Sequence, residues 1–361
     1  MLMSEATLTD LAESAAMKYF AALRQQPEIC KVQFTGSGAV AELEGKLARH
    51  YGKKYALCCS SATTALLAIS LALDLKEADF ISTPLTYGAT LAGWLLMGNR
   101  PQFCDLELLT QTLSPKSVRQ SITSDTKAIL AVDLHGNPCD TVALREIADE
   151  YGLWYIADAA QSFGARRSNL PASALADAIV VSFTVGKSLF AGEGGAIVTD
   201  NAELYHKLVW WTQHPDRQRR DIGFGFENQF GLNGRIHPLA ATIASATFEA
   251  SLAQLKIHQE RCLAIVAVLN RSGLTVPMPF TELGILPTFF CLTARWQDEA
   301  QPKELLRLLS VEGYEVSIED LPCSLITEQP AFLAQYGHLP IAELSTNTSL
   351  SAKQFALRCF N

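Results

Sequence analysis

The chain has 361 residues, 48% hydrophobic and 18% charged, with a net charge of −8. That acidic balance (pI ≈ 5.4) excludes general attraction to nucleic acid or anionic lipid, and the length allows two ordinary domains or one large α/β domain carrying a smaller one. A mean hydropathy of +0.13 with so few charges implies extra surface buried between subunits, so an oligomer is expected.

The first residues, with Glu5, Asp10 and Glu13, have neither the cationic start nor the apolar core of a signal peptide. The nine cysteines (Cys30, Cys58, Cys59, Cys104, Cys139, Cys262, Cys291, Cys323 and Cys359) form no CxxC pair and have no histidine at zinc spacing. They read as reduced, mostly buried thiols of a cytoplasmic protein, and no metal site is expected. The uncharged run 80–99 is long enough to span a bilayer, but Ser82, Thr83, Pro84, Thr86, Gly88 and Gly93 interrupt it. A loop followed by a helix fits it better, and no membrane contact is expected.

In chain order, 55–59 reads as a buried strand and 62–73 as a helix that Ser61 or Thr63 can cap. Short strands at 80–82 and 101–104 flank a helix at 89–97. Then come a strand at 128–132, a helix at 141–151, and strands at 153–156 and 178–181. Residues 239–269 have a long helical pattern, and 288–292 and 313–316 look like strands. The alternation predicts an α/β fold, a mostly parallel sheet with helices on both faces. A large unit is expected over 1–250, with an N-terminal helical segment, and a smaller α+β unit over 251–361.

Ligands of such sheets bind at the carboxyl ends of strands, and the chemistry-bearing residues fall there. Lys187, in Ser182-Phe183-Thr184-Val185-Gly186-Lys187, lies just past the strand at 178–181. Taken alone it reads as a snorkelling surface lysine. A desolvated lysine, however, can form a Schiff base with an aldehyde cofactor. Pyridoxal 5'-phosphate asks for such a lysine, a carboxylate at its ring nitrogen and small or hydroxyl residues around its phosphate. Lys187, Asp158 and Ser182 supply all three within one short segment. Asp158 by itself is equally an N-cap or a surface acid. Gln161 can meet the ring hydroxyl or simply lie on a helix surface. Ser61, at a helix start, suits a phosphate, although any capped helix offers the same. Tyr87 can stack on a flat ring or serve as a core tyrosine. Gly36-Ser37-Gly38 lacks the full dinucleotide fingerprint.

Several stretches occur together in order: Gly38 to Glu44, Ser61 to Leu66, His135-Gly136-Asn137-Pro138, Asp158 to Gln161, Ser182 to Lys187, Gly192 to Gly195, and Gly231-Leu232-Asn233-Gly234-Arg235. By these the chain resembles the DegT/StrS-type sugar aminotransferases, within the aspartate-aminotransferase fold of pyridoxal-phosphate enzymes. The resemblance implies that Lys187 bonds the cofactor aldehyde, Asp158 holds the pyridinium and Gln161 meets the ring hydroxyl. It also implies that Ala62, Thr63 and Ser182 bind the phosphate, that Tyr87 stacks on the ring, and that Asn233 reaches the phosphate from the partner subunit of a homodimer with a shared site.

The expected reaction moves an amino group, from glutamate or a similar donor, to a keto sugar, cyclitol or related ketone. Dehydratases of the family carry histidine at the lysine position, so Lys187 argues against dehydration. A different pyridoxal reaction (elimination, decarboxylation or condensation) is the alternative. A catalytically silent sensor would have no need to keep Lys187, Asp158 and Ser182 together. The stretch 214–235 is dense in charge and interleaved with Gly223-Phe224-Gly225-Phe226 and Phe230-Gly231. It is expected to cross into the neighbouring site, with His214, Arg217 and Arg235 as candidate substrate contacts.

Overall fold

Small and branched apolar residues alternate along a set of short strands and build a central sheet buried on both faces. The computed structural model describes residues 5–223, 231–337 and 354–359. Its strands are β1 Tyr55–Cys59, β2 Asp79–Ser82, β3 Arg100–Phe103, β4 Thr126–Val132, β5 Trp154–Asp158, β6 Arg166–Arg167, β7 Leu170–Pro171, β8 Ala178–Ser182, β9 Gly195–Thr199, β10 Ile285–Leu286, β11 Leu292–Arg295, β12 Val316–Glu319 and β13 Gln354–Cys359. Its helices are α1 Glu5–Gln25, α2 Val32–Thr35, α3 Ala39–Tyr51, α4 Ala62–Ala72, α5 Ala89–Leu96, α6 Pro115–Ser121, α7 Thr141–Tyr151, α8 Ala202–Thr212, α9 Pro215–Ile222, α10 Pro238–Ser272, α11 Pro302–Val311 and α12 Pro330–Tyr336.

The main sheet has the order β1-β9-β8-β5-β4-β2-β3. All neighbours pair in parallel except at β9, which is antiparallel to both β1 and β8. The period of two sorts side chains between two cores. Ala56, Cys58, Tyr155 and Ala157 face α3, α7 and the start of α10 through Leu43, Leu47, Leu144, Ile147 and Ala241. Leu57, Cys59, Ile156 and Val180 face α4 and α5 through Leu66, Ile69, Leu91 and Trp94. Helices therefore cover both faces, as the alternation predicts.

Local signals set the helix ends. Asp140 caps α7 by accepting from the Ala143 N–H at 3.1 Å, and Gly152, at φ 65°, ends it in the left-handed region open to glycine. Buried Leu144 and Ile147 each contribute about 1.5–3 kcal/mol to holding α7 on the sheet.

A second sheet, β11-β13-β12, is antiparallel throughout. Its core joins Leu292 and Leu357 to Leu305 and Leu309 of α11 and to Ile265 and Leu269 of α10. Helix α10 runs from the first core, at Ala241 and Phe248, into this one, so position 250 lies within a continuous helix. The strands expected at 288–292 and 313–316 start later, at Leu292 and Val316. Phe289 at φ 53° and Gly313 at φ 86° turn the chain before each of them.

No described helix is long and apolar enough to cross a membrane. Of the described cysteine side chains, Cys58, Cys59, Cys104, Cys139 and Cys262 are buried thiols, while Cys291 and Cys323 are half-buried. The side chains of Cys30 and Cys359 lie outside the described residues, as do residues 224–230 of the expected crossing stretch.

Candidate active site

Because β1, β2, β4, β5 and β8 run the same way, their carboxyl ends share one edge of the sheet. The loops leaving that edge carry Ser61, Tyr87, His135, Gln161 and Lys187. Asp158, the last residue of β5, lies beside Val132 and Val180 of the neighbouring strands. It is buried, and its carboxylate accepts from the Thr90 hydroxyl at 2.7 Å and the Ala160 N–H at 3.1 Å. Among the described residues no cation stands within ion-pair distance of it. Burial pushes its pKa up, and the bonds from Thr90 and Ala160 oppose that shift.

Lys187 has the complementary deficit. It is half-buried, with no carboxylate at ion-pair distance among the described residues. Burial pushes its pKa down, opposed by the field of Asp158. Its Nζ lies 4.2 Å from the centroid of the Phe290 ring. Gly186 at φ 88° and the Lys187 N–H to Thr184 carbonyl bond, 3.2 Å, shape the loop that presents it. A buried acid lacking a cation and a desolvated amine lacking an acid thus occupy one sheet edge. The pair fits a ligand that brings its own cationic ring nitrogen and its own carbonyl.

Next to them lies a candidate anion cradle. Ser61 caps α4, its Oγ accepting from the Thr64 N–H at 3.0 Å, which leaves the first-turn N–H groups of Ala62 and Thr63 without helical acceptors. Cys59, Gly195 and Ser182 lie side by side across β1, β9 and β8, so α4 starts one strand away from Ser182. A side chain on Gly195 would place its Cβ 2.5 Å from the Ala62 nitrogen. The absence of that side chain lets the helix start sit on the sheet. Ser182 is buried, and its Oγ donates to the Thr184 Oγ1 at 3.2 Å.

The Gln161 Oε1 accepts from the His135 N–H at 2.6 Å, which fixes its amide so that Nε2 is the end left to donate. His135 is buried at φ 59°, its ring Nδ1 has no partner, and burial pulls its pKa down to about 4. Tyr87, in the loop after β2, is 69% exposed and so makes little contact with its own chain.

The residues near Arg235 divide. Arg235 pairs with Cys59 across a β-bridge, and its guanidinium lies 5.7 Å from the Phe34 ring. It has no carboxylate at ion-pair distance among the described residues. His214 caps α9, with Nδ1 accepting from the Asp216 N–H at 3.2 Å, and its ring packs on Phe34 at 4.4 Å.

Arg217 corrects the expectation of a substrate contact. It is 1% exposed, bonded through both terminal nitrogens to Glu44 at 2.9 and 2.8 Å and through Nε to Asp221 at 3.0 Å. Its guanidinium is committed within the chain and is not offered to a ligand. The first part of the expected crossing loop is the helix α9, packed on its own chain through that ion pair. Asn233 is exposed, while the backbone around it is fastened by the Leu232 N–H to Trp211 and by the Gly234 carbonyl to the Ser60 N–H, both at 2.7 Å.

Three contributors carry no local signal in the sequence. Thr90 orients Asp158, and Thr288 and Phe290 reach the site from far along the chain. A threonine at a helix start is too common to single out, and the two later residues become neighbours of Gln161 and Lys187 only through the fold.

The sequence profile described as the DegT/DnrJ/EryC1/StrS aminotransferase family matches residues 25–357. The chain is 30% identical over 315 residues to UDP-2-acetamido-2-deoxy-3-oxo-D-glucuronate aminotransferase of Pseudomonas aeruginosa, covering 86% of this chain and 84% of that one. It is 28% identical over 305 residues to GDP-perosamine synthase of Escherichia coli O157:H7, covering 84% and 81%. In fold it is similar to the crystal structure of a DegT DnrJ EryC1 StrS aminotransferase from Brucella abortus, with a TM-score of 0.81 at 23% identity over 98% of this chain and 91% of that one.

Proposed function

Since the chain belongs to the DegT/DnrJ/EryC1/StrS aminotransferase family and is a pyridoxal-phosphate-dependent aminotransferase, we propose that it moves the amino group of glutamate onto the keto carbon of a nucleotide-linked sugar. The observation that carries this reading is the pairing at the sheet edge of buried Asp158 and desolvated Lys187, neither of which has an opposite charge at ion-pair distance among the described residues. The relatives that support the substrate class act, by their names, on a UDP-linked keto uronate and make GDP-perosamine.

Pyridoxal phosphate, when bound, supplies an aldehyde for amines and a cationic ring that withdraws electrons from the substrate carbon. The chain's own residues do the rest. Asp158 keeps the proton on the ring nitrogen, held in line by Thr90 and the Ala160 N–H. The Nζ of Lys187 takes and returns the proton at the substrate carbon, and burial, by lowering its pKa, favours the neutral amine that this step needs. The Ala62 and Thr63 N–H groups, the α4 dipole and Ser182 hold the phosphate, the Gln161 Nε2 donates to the ring hydroxyl, and Tyr87 covers the ring. Arg235 and His214 face the anionic part of a substrate. The active unit is a homodimer in which Asn233 of the partner subunit completes the phosphate site.

The test offers glutamate with a panel of nucleotide-linked keto sugars, cyclitol ketones and simple keto acids and identifies products by mass spectrometry, with borohydride reduction to locate the cofactor on Lys187. Amine transfer confined to keto acids refutes the substrate class, and a reduced adduct on another lysine refutes the site.

A further inference from the structure

The ring of Phe290 approaches the Lys187 Nζ to 4.2 Å, although Phe290 belongs to the connection between β10 and β11, about a hundred residues further along the chain. Ordinary loop drift does not account for that arrival, because the segment is fastened on both sides. The Thr288 N–H donates to the Gly136 carbonyl at 3.1 Å, the Thr288 Oγ1 to the Gln161 carbonyl at 2.7 Å and the Cys291 N–H to the His135 carbonyl at 3.2 Å. On the other side the Gln259 Nε2 donates to the Pro287 carbonyl at 2.8 Å, and the His258 Nε2 lies 3.1 Å from the Phe289 carbonyl. Between these ties Phe289 is held at φ 53° with its ring in the third core. A bulky residue in the left-handed region is unfavourable and persists only where its surroundings impose it. The turn buries Phe289 and leaves Phe290 38% exposed, on the side of Lys187.

We propose that Phe290 is a positioning residue whose ring face receives the ammonium of Lys187 during the part of the reaction in which that amine is not bonded to the cofactor. The inference rests on the aminotransferase reading, because only a reaction that repeatedly frees the lysine has use for such a place. Its physical basis is the strength of the contact. A carboxylate at bonding distance would hold the ammonium firmly and make it a poor base, and none stands there among the described residues. An aromatic face attracts a cation more weakly, with about a tenth to two thirds of the strength of a desolvated buried ion pair. The amine is thus kept beside the reacting carbon and remains able to give up its proton. In the same loop, the Thr288 Oγ1 accepts from the Phe290 N–H at 3.2 Å and donates to the Gln161 carbonyl, so the backbone that carries this ring is fastened to the backbone of Gln161.

The test uses protein loaded with pyridoxamine 5'-phosphate, in which Lys187 is free, and reads the acylation rate of Lys187 against pH by peptide mass spectrometry. Phe290→Leu keeps apolar bulk and removes the ring face, while Phe290→Trp keeps a face. With the ammonium less stabilised, Phe290→Leu is expected to label about three- to tenfold faster at a fixed pH below the midpoint, and Phe290→Trp to label at the wild-type rate or more slowly. Equal labelling in all three proteins overturns the proposal, and so does a common shift in both variants, which packing alone would produce. If the wild-type protein takes up no pyridoxamine phosphate, the aminotransferase reading fails and this proposal with it. A protein that takes up pyridoxamine phosphate yet labels equally in all three forms fails the proposal alone, so the two failures are told apart.

Discussion

Replacing Asp158 with asparagine removes one charge and almost nothing else. The Asn Oδ1 can still accept from the Ala160 N–H, and its NH2 can face the Thr90 hydroxyl, which now donates its hydrogen to the Thr86 hydroxyl 2.9 Å away. Both bonds of the Asp158–Thr90–Thr86 chain reverse and the Thr86 hydroxyl hydrogen gives up its acceptor, so the expected stability change is about 1 kcal/mol. The electrostatic change is large. A carboxylate ~3 Å from a ring cation at an effective dielectric of ~20 is worth ~5 kcal/mol, of which the amide dipole restores part. The expected loss is ~3 kcal/mol or more in the transition state, a rate reduction of ~150-fold or more. The assay is the half-reaction with glutamate alone, followed by the disappearance of the bound pyridoxal absorption in single turnover, so no acceptor is needed. Thermal melting and cofactor stoichiometry are measured on the same samples. A variant that holds the cofactor and reacts within a few-fold of wild type would refute the role of Asp158. One that unfolds at much lower temperature would refute the hydrogen-bond argument.

Arg217→Met leaves Glu44 buried without its cation and is expected to cost about 3–5 kcal/mol in denaturant unfolding, whereas Arg235→Met should leave stability within about 1 kcal/mol and raise the KM for the anionic substrate; the reverse pattern would exchange the assignments. Gly195→Ala drives a Cβ to within 2.5 Å of the Ala62 nitrogen, so the helix start must shift, and the pyridoxal phosphate Kd from equilibrium titration should rise about tenfold or more; an unchanged Kd removes α4 from the phosphate site. In cofactor-free protein, burial lowers the Lys187 pKa below 10.5, so between its folded value and 10.5 this side chain binds more protons in the unfolded chain and its own contribution to stability rises with pH. Lys187→Met lacks this rise, and the gap between the two melting curves should close toward pH 10.5; parallel curves would contradict a desolvated lysine. Mixed Lys187→Ala and Asn233→Ala proteins, each poor alone, should regain part of the activity in hybrid dimers, and subunit exchange without recovery rules out the shared site.

The elements that position the chemistry were legible because they are local. The helix expected at 141–151 is α7, bounded by its Asp140 cap and Gly152, and the strand at 55–59 is β1. Strand β9 escaped notice because Gly195-Ala-Ile-Val-Thr199 follows directly on Gly192 to Gly194 and merges with that glycine-rich run. The twelve-residue return from β8 at 182 to β9 at 195 could have exposed it, since it holds three glycines and no helical pattern, and a parallel crossover of that length is usually a helix. Arg217 was misread for a different reason. Its helix is charged and exposed on one side, and the carboxylate that buries it, Glu44, is remote in sequence. Phe290 gives no hint for the same reason. Proximity to Lys187 is made by the tertiary fold, and no periodicity encodes it.

The antiparallel strand between β1 and β8 also bears on biogenesis. The strand that pairs with β1 along its whole length is β9, from Tyr55 with Thr199 to Cys59 with Gly195, so the ribosome makes β1 and the helix start that follows it long before it makes the strand that docks them. Until residue 199 has left the exit tunnel, β1 is an open edge with an apolar face, the kind of surface that pairs wrongly or recruits a chaperone. A nascent chain arrested between Lys187 and β9 therefore has Asp158 and Lys187 but no strand to dock the start of α4.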